Sequence, residues 1–169
     1  LAKAALAGRD VCFYMPEYDA SRDLIGLMTP EQLDRALAET DATAALVTSP
    51  NYFGLCADIA GLAEAAHRRG ALLLVDGAHG AHFAFSAELP AGNGGHADLF
   101  CHSQHKTLNA LTQAASLHVG ECRVDAERAA RMLAMIETTS PSYLLMASLD
   151  WATYTAARAD WAGLIRSAD

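Results

Sequence analysis

The chain has 169 residues, of which 52% are hydrophobic and 19% charged, and its 12 basic and 20 acidic side chains give a formal charge of −8. This composition indicates a globular domain with a buried core and excludes a disordered chain. The acidic balance excludes a surface that follows nucleic-acid phosphates, so we expect no nucleic-acid partner. No apolar run approaches the length of about 20 residues that spans a bilayer, so we expect no membrane partner.

The four cysteines lie far apart in the sequence, with no C-x-x-C pair: Cys12, Cys56, Cys101 and Cys122. This spacing is typical of free thiols in a reducing compartment, and the amino terminus lacks the order of a signal peptide. We therefore expect a cytoplasmic protein. The first residue is Leu1 rather than Met, which predicts a fragment of a longer chain.

Short apolar runs alternate with helical patterns, which predicts an α/β fold with a mostly parallel sheet and helices on both faces. Thr29, Pro30 and Gln32 together predict a capped helix start, with the helix running to Glu39. The other expectations for the first half are a helix end at 1–7, a strand at 11–15, a loop at 16–30, a strand at 44–48, a loop at 49–54, a helix at 58–69 and a strand at 72–75 that ends in Asp76.

The second half begins with a Gly-, Ala- and Pro-rich loop over 77–95. Its remaining expected elements are strands at 99–102 and 116–119, a helix at 126–137 capped by Asp125, an interruption at 138–141 and a helix from 142 to 166. No repeat or linker marks a boundary, so we expect a single unit over 1–169.

Ligands of open parallel sheets bind beyond the carboxyl ends of the strands, where the segments 49–54, 76–80 and 103–107 are expected to converge. A carboxylate that ends a buried strand, such as Asp76, requires a positive or hydrogen-bonding partner. Lys3 and Lys106 are the two lysines of the chain, and a lysine in a cleft can form a Schiff base with a carbonyl.

An aspartate, a lysine and nearby hydroxyls are the groups that pyridoxal phosphate requires of a protein. Asp76 would keep the pyridine nitrogen protonated, and Lys106 would carry the aldehyde. Ser103 and His105 are candidate phosphate ligands, and the small side chain of Ala78 leaves room for a flat ring.

Several segments resemble the major domain of the ornithine/lysine/arginine decarboxylases: DGAHGAHF at 76–83, SQHKTLNALTQ at 103–113, LHV at 117–119, TSPNYFG at 48–54 with Asp58, and TTSPSY at 138–143 continuing to MASLD at 146–150. The resemblance implies the aspartate-aminotransferase fold of pyridoxal-phosphate enzymes. The chain also departs from the family's pattern: the family commonly has Glu where Gly77 stands and Thr where Gln104 stands.

The resemblance further implies roles for individual residues. Lys106 and Asp76 would bind the cofactor as described above, Ala78 would pack on its ring, and His79 would lie beside it as a second candidate proton donor. Thr139 and Ser140 would reach the cofactor phosphate of a neighbouring subunit, in a homodimer or a higher homo-oligomer.

The implied reaction is decarboxylation of arginine, lysine or ornithine. The implied unit is the central part of the cofactor-binding major domain, without the upstream phosphate loop and the carboxyl-terminal domain. An aminotransferase or a cysteine desulfurase-like enzyme would share Asp76 and Lys106, and a catalytically inactive assembly fragment is the third alternative.

A zinc site was also considered, because His79 and His82, and His102 and His105, stand three residues apart near Cys101. Neither pair has the i, i+4 spacing of a helical metal site, and no glutamate stands beside them as a general base. We therefore expect no metal.

Overall fold

The computed structural model describes residues 7–120 and 123–168. Its strands are β1 (Tyr18–Asp19), β2 (Leu24–Ile25), β3 (Ala44–Thr48), β4 (Leu72–Asp76), β5 (Leu99–His102) and β6 (Ser116–Val119). Its helices are α1 (Pro30–Thr40), α2 (Ile59–Arg68), α3 (Gln104–Thr107), α4 (Ala126–Ala134), α5 (Tyr143–Ala156) and α6 (Trp161–Ala168), with short 3-10 turns at Phe83–Phe85 and Asn93–Gly95.

The main sheet has the strand order β3-β4-β5-β6. The strands β3, β4 and β5 are parallel, and β6 runs antiparallel to β5. In this register Thr48 pairs with Asp76, and Asp76 pairs with Cys101. The carboxyl ends of three parallel strands therefore meet at one edge, which is where an open sheet of this kind binds ligands.

Local sequence signals place the two helices that pack on this sheet. Thr29 accepts a hydrogen bond from the backbone N–H of Gln32 at 3.2 Å, and the Gln32 side chain accepts one from the Thr29 backbone at 3.0 Å, which completes a capping box. Asp58 caps α2 by accepting from the Gly61 N–H at 3.0 Å. The apolar sides of both helices join β4 and β5 in one core: Leu33, Leu37, Ile59, Leu62, Ala63, Ala65, Ala66, Ala71, Leu73, Val75, Ala97 and Phe100.

The structure confirms the expected mixed α/β class with a mostly parallel sheet, and β3, β5 and β6 have the predicted bounds. Among the described residues, no helix is long and apolar enough to cross a membrane. Apart from Ala7, the helix end expected at 1–7 lies outside the described residues.

Several local expectations are wrong. Residues 11–15 form no strand, because no neighbouring strand pairs with them and Phe13 is 73% exposed. The expected loop at 16–30 contains the antiparallel pair β1 and β2. Helix α4 ends at Ala134 rather than at residue 137.

The long helix expected over 142–166 is divided into α5 and α6. The side chain of Asp160 accepts a hydrogen bond from the backbone N–H of Gly163 at 3.0 Å, which gives α6 its own start. An aspartate before a helix competes with continuous helical hydrogen bonding and favours a new amino-terminal cap.

Candidate active site

Asp76 is the last residue of β4 and is half-buried at the sheet edge. One carboxylate oxygen, Oδ1, accepts a hydrogen bond from the backbone N–H of Ala78 at 3.1 Å and a longer one from the Cys101 thiol at 3.7 Å. Within the described residues, no lysine or arginine nitrogen lies within 4.0 Å of this carboxylate. Hydrogen bonds rather than an ion pair therefore orient Asp76, and Oδ2 is left for a further partner.

Backbone hydrogen bonds join the segment after β4 to the segment after β5. The N–H of Gly77 donates to the carbonyl of Cys101 at 3.1 Å, and the N–H of Ser103 donates to the carbonyl of Ala78 at 3.3 Å. The N–H of Lys106 then donates to the Ser103 carbonyl at 3.0 Å. The fold thus brings the expected residues 76, 78, 103 and 106 into one continuous hydrogen-bonded unit.

Lys106 lies on the one-turn helix α3, and its side chain is exposed. Burial and the charge of Asp76 raise the pKa of the Cys101 thiol, whereas the charge of Lys106 acts on the same thiol in the opposite direction. Cys101 is thus within the electrostatic reach of both charged residues. Cys101 is not among the site residues expected from the sequence, although it stands on β5 between the two motifs.

Gly77 allows close packing at this edge. A Cβ atom at this position would lie 2.3 Å from the Asn93 side-chain nitrogen and 3.0 Å from the Cys101 carbonyl oxygen, so a larger residue requires Asn93 to move. Asn93 is 3% exposed and its side chain donates to the Ser49 carbonyl at 3.5 Å. Gly77, where the family commonly has Glu, therefore leaves room for the buried Asn93 side chain, which connects two loops of the site.

Two polar side chains flank Lys106 in sequence. Ser103 precedes α3 but makes no capping hydrogen bond with its hydroxyl, which leaves that group available. The Nδ1 atom of His105 lies 2.8 Å from the carbonyl oxygen of Ala114 and donates to it, so Nε2 is the ring nitrogen left for another group. These are the two residues that the sequence proposes as phosphate ligands.

His79 lies in a cleft of about 430 Å³ next to this unit. Its ring meets the Tyr52 ring edge-on, with 5.4 Å between centroids. The cleft is lined by Pro50, Asn51, Tyr52, Gly54, Cys56, His79, His82, Phe83 and Pro90. Tyr52 and His82 were not predicted as site residues, although both stand in the loops that follow strand ends.

Three histidines lie on the buried side of the same edge. Burial lowers the pKa of His82 and His118, and burial with the neighbouring imidazoles lowers the pKa of His102 from 6.5 to about 4. The ring centroids of His102 and His118 are 4.9 Å apart. These residues are therefore held as neutral imidazoles near neutral pH.

The remaining two predicted residues, Thr139 and Ser140, are exposed in the segment before α5. The Ser140 N–H donates to the hydroxyl of Thr138 at 3.1 Å. No hydrogen bond among the described residues joins Thr139 or Ser140 to Asp76 or Lys106. This chain alone therefore does not bring them into the unit around Cys101, and their role stays a prediction.

The donor set fits pyridoxal phosphate better than it fits a metal. A carboxylate with one oriented and one available oxygen suits a protonated ring nitrogen, and an exposed lysine amine suits an aldehyde. Free hydroxyl and imidazole groups at Ser103 and His105 suit phosphate oxygens. Within residues 7–120 and 123–168, no group of three or more His, Cys, Asp or Glu side chains could hold a metal ion.

Several known proteins of similar sequence are named arginine decarboxylases. The chain is 43% identical over 141 residues to an arginine decarboxylase of Bacillus subtilis, covering 82% of this chain and 29% of that protein. It is 39% identical over 153 residues to an arginine decarboxylase of Halalkalibacterium halodurans, covering 89% of this chain and 31% of that protein. The chain thus spans less than a third of the length of these relatives.

Solved structures show the same fold. The constitutive lysine decarboxylase of E. coli matches with a TM-score of 0.60 and 24% identity over 80% of this chain and 20% of the other. A cystathione gamma lyase from Micromonospora echinospora matches with a TM-score of 0.53 and 25% identity over 78% of this chain and 34% of the other.

The family-level comparison covers nearly the whole chain. A model described as "Orn/Lys/Arg decarboxylase, major domain" matches residues 12–165. This range includes the unit around Asp76, Cys101 and Lys106 and both flanking loops. The resemblance noted in the sequence is confirmed: this chain belongs to the Orn/Lys/Arg decarboxylase family, in its major domain.

Proposed function

We propose that the protein containing this chain is a pyridoxal-phosphate enzyme that decarboxylates arginine, lysine or ornithine to the corresponding amine and carbon dioxide. In this proposal, residues 1–169 are the central part of the cofactor-binding major domain. The observation that carries the proposal is the hydrogen-bonded unit that joins Asp76, Cys101 and Lys106 through the backbone of Ala78 and Ser103. Membership of the family supports it.

Asp76 has the role of holding a proton on the ring nitrogen of the cofactor. Its Oδ1 atom is already fixed by Ala78 and Cys101, so the carboxylate needs little reorganisation to present Oδ2. The bound cofactor supplies an electron sink for the electron pair left when carbon dioxide departs. Ala78, two residues further on, presents only a methyl group toward a flat ring.

Lys106 would provide the amine that holds the cofactor aldehyde. The same amine could carry a proton to the substrate α-carbon. His79 is the second candidate donor of this proton, because its half-buried ring lines the cleft. Ser103 and His105 hold the phosphate through the hydroxyl and Nε2.

The cleft beside His79 is the proposed place for the amino-acid substrate. Its volume of about 430 Å³ suits a small molecule, and its lining is mostly apolar and aromatic. No carboxylate belongs to this lining. Recognition of the distal cation of the substrate is therefore assigned to residues beyond it.

Reductive trapping tests the cofactor assignment. The full-length protein is mixed with pyridoxal phosphate, reduced with borohydride and digested, and the modified peptide is identified by mass spectrometry. The label is expected on Lys106, and a Lys106→Ala variant should lose both the label and the visible absorbance band. Because this chain has only Lys3 and Lys106, mapping within it is unambiguous. Label on Lys3 alone, or none, would falsify the assignment.

A second reaction class on the same fold has a specific observation in its favour, the match to a cystathione gamma lyase at 25% identity. Product analysis separates the two classes. A decarboxylase releases labelled carbon dioxide from a basic amino acid carrying label in its carboxyl group. A transaminase given an amino acid and a keto acid releases the keto acid of its amino donor, and a γ-lyase given a sulfur-containing amino acid releases a keto acid, ammonia and a thiol. An assembly fragment gives none of these products.

We also propose a homodimer or a higher homo-oligomer, in which Thr139 and Ser140 act on the site of the neighbouring subunit. Their exposure in this chain agrees with such a role. A Lys106→Ala subunit is mixed with one carrying Thr139→Ala and Ser140→Ala. If Thr139 and Ser140 act across the interface, one site of each hybrid dimer is intact and activity returns. Confirmed hybrids without activity would show that these two residues do not act on the site of the neighbouring subunit.

The compartment is proposed as the cytoplasm. Cys12, Cys56 and Cys101 are free thiols in the described part of the chain, which fits a reducing environment.

A further inference from the structure

A chain of side-chain hydrogen bonds joins α3 to the antiparallel edge strand β6. The Gln104 side chain, at the start of α3, donates from Nε2 to the Ser116 hydroxyl at 2.6 Å. The same hydroxyl lies 2.6 Å from Nε2 of His118. Gln104 is only 7% exposed, and Ser116 and His118 are half-buried, so this connection is partly shielded from solvent.

The protons of this chain can be assigned from its donors and acceptors. Ser116 accepts from the Gln104 amide and donates its own proton to Nε2 of His118, which requires a neutral His118 ring. Burial lowers the pKa of His118 and favours that state. The ring itself is held by Phe100, which stacks on it with 4.6 Å between centroids and 6° between planes.

The titratable groups that face this chain are few. His102 on β5 lies 4.9 Å from His118, between ring centroids, and His82 acts on His102 from the loop after β4. Within the described residues, neither ring forms a hydrogen bond to Gln104 or Ser116. Gln104 therefore depends on Ser116 for its side-chain anchor.

Helix α3, which this hydrogen bond holds, depends on contacts with the rest of the protein for its position. Helix α3 is four residues long, and a single helical turn is not stable alone because nucleation is costly. A second attachment comes from His105, which donates through both its backbone and its ring to the Ala114 carbonyl, at 3.3 Å and 2.8 Å. Lys106 follows these two anchored residues directly.

We propose that Gln104, acting through Ser116 and His118, is a positioning residue that fixes the location and orientation of Lys106. The inference rests on the proposed role of Lys106 as the cofactor-binding lysine. Gln104 need not touch cofactor or substrate in this role, because it acts only on the position of Lys106. Gln104 and Lys106, two positions apart on one short helix, thus have different roles: Gln104 binds to strand β6, and Lys106 is exposed.

The test uses the full-length enzyme loaded with pyridoxal phosphate. Gln104→Met keeps the buried volume but removes the amide, and Ser116→Ala removes the hydroxyl. Each variant is expected to lower kcat about 10-fold with KM within about twofold, because a misplaced lysine slows steps after substrate binding. Both variants should also shift the pH midpoint of the cofactor absorbance band, and the two shifts should be similar in size. The band reports on the protonation of the nitrogen of Lys106.

A double variant and two matched substitutions make the test specific. If the residues act as one chain, Gln104→Met with Ser116→Ala should be about as impaired as either single variant. Ser116→Thr keeps the hydroxyl and should restore wild-type kcat and absorbance midpoint. Thr107→Val, on the same turn, removes a buried hydroxyl that has no hydrogen-bond partner among the described residues, and it should change neither quantity.

Other results overturn the proposal. These are fully additive effects, no rescue by Ser116→Thr, or lowered thermal stability with an unchanged absorbance midpoint. Hydrogen exchange of the peptide covering 103–108 provides a measurement without cofactor, and exchange in Gln104→Met should be faster than in Thr107→Val. If the wild-type enzyme takes no label on Lys106, the proposed function fails separately, and this exchange measurement alone decides whether Gln104 anchors the turn.

Discussion

The Nε2 atom of His67, near the end of α2, lies 2.8 Å from the Oδ2 atom of Asp98, a carboxylate that is only 2% exposed. The same oxygen accepts the backbone N–H of Leu73 at 2.7 Å, and the Asp98 N–H donates to the Leu73 carbonyl at 2.9 Å. This carboxylate therefore connects α2, β4 and the start of β5 at the sheet edge opposite to the candidate active site.

Removing either partner should destabilise the domain without altering the site. Asp98→Ala leaves the buried Leu73 N–H and His67 without an acceptor, and we expect a loss of about 2–4 kcal/mol in the free energy of unfolding. His67→Ala should cost less, because Leu73 still holds Asp98. Thermal unfolding of the full-length protein measures both. The control is Asp34→Ala, which removes the exposed ion pair with Arg69 and should lower the free energy of unfolding much less.

Substitution of Asp76 by Asn should impair the chemical step. The variant loses the charge that is proposed to keep the cofactor ring nitrogen protonated, and turnover is expected to fall by at least about 10²-fold. The measurement is the release of carbon dioxide from arginine, lysine and ornithine. Asp125→Asn is the matched control, because Asp125 caps α4 through two backbone N–H groups and asparagine caps helices equally well. Near-normal turnover of Asp76→Asn would show that this carboxylate is only structural.

The pKa of the Cys101 thiol depends on the charges of Asp76 and Lys106, and it can be probed without cofactor or substrate. Burial and Asp76 raise the pKa of its thiol, whereas Lys106 lowers it. Asp76→Asn should therefore speed alkylation of Cys101 at a fixed pH near 8, and Lys106→Met should slow it, each by about 2- to 10-fold. Peptide mass spectrometry measures the rates, with the exposed Cys12 thiol as internal reference. Changes in the same direction for both variants would contradict the arrangement.

The low pKa of His102 predicts an acid-dependent loss of stability. The pKa falls from 6.5 to about 4 in the folded protein, chiefly because of burial, so the unfolded chain binds more protons between these values. Stability should decline as the pH falls from about 6.5 towards 4, by about 2–3 kcal/mol from this group. His102→Phe keeps a buried ring and should remove that part of the pH dependence. His96→Gln, at an exposed histidine, should leave it unchanged.

Local signals were sufficient for much of this fold. The helix starts at Thr29 and Asp58 follow from side chains that bond to backbone groups three residues away. Strands β3, β4 and β5 follow from short apolar runs that a buried parallel sheet requires. The motifs that contain Asp76 and Lys106 were readable for the same reason, since each stands directly after such a strand.

Tertiary contacts decided the rest. The failed strand at 11–15 and the unforeseen pair β1 and β2 depend on whether a neighbouring strand is present, which composition does not encode. The place of Cys101 beside Asp76 follows from the register between β4 and β5, and these residues are 25 positions apart. Gln104 and Ser116 meet only because β6 turns back antiparallel to β5. The sequence by itself determined which groups are candidates for the chemistry. The pairing of distant strands determined which of them are held together, because hydrogen bonds act over a few ångströms in space and not along the chain.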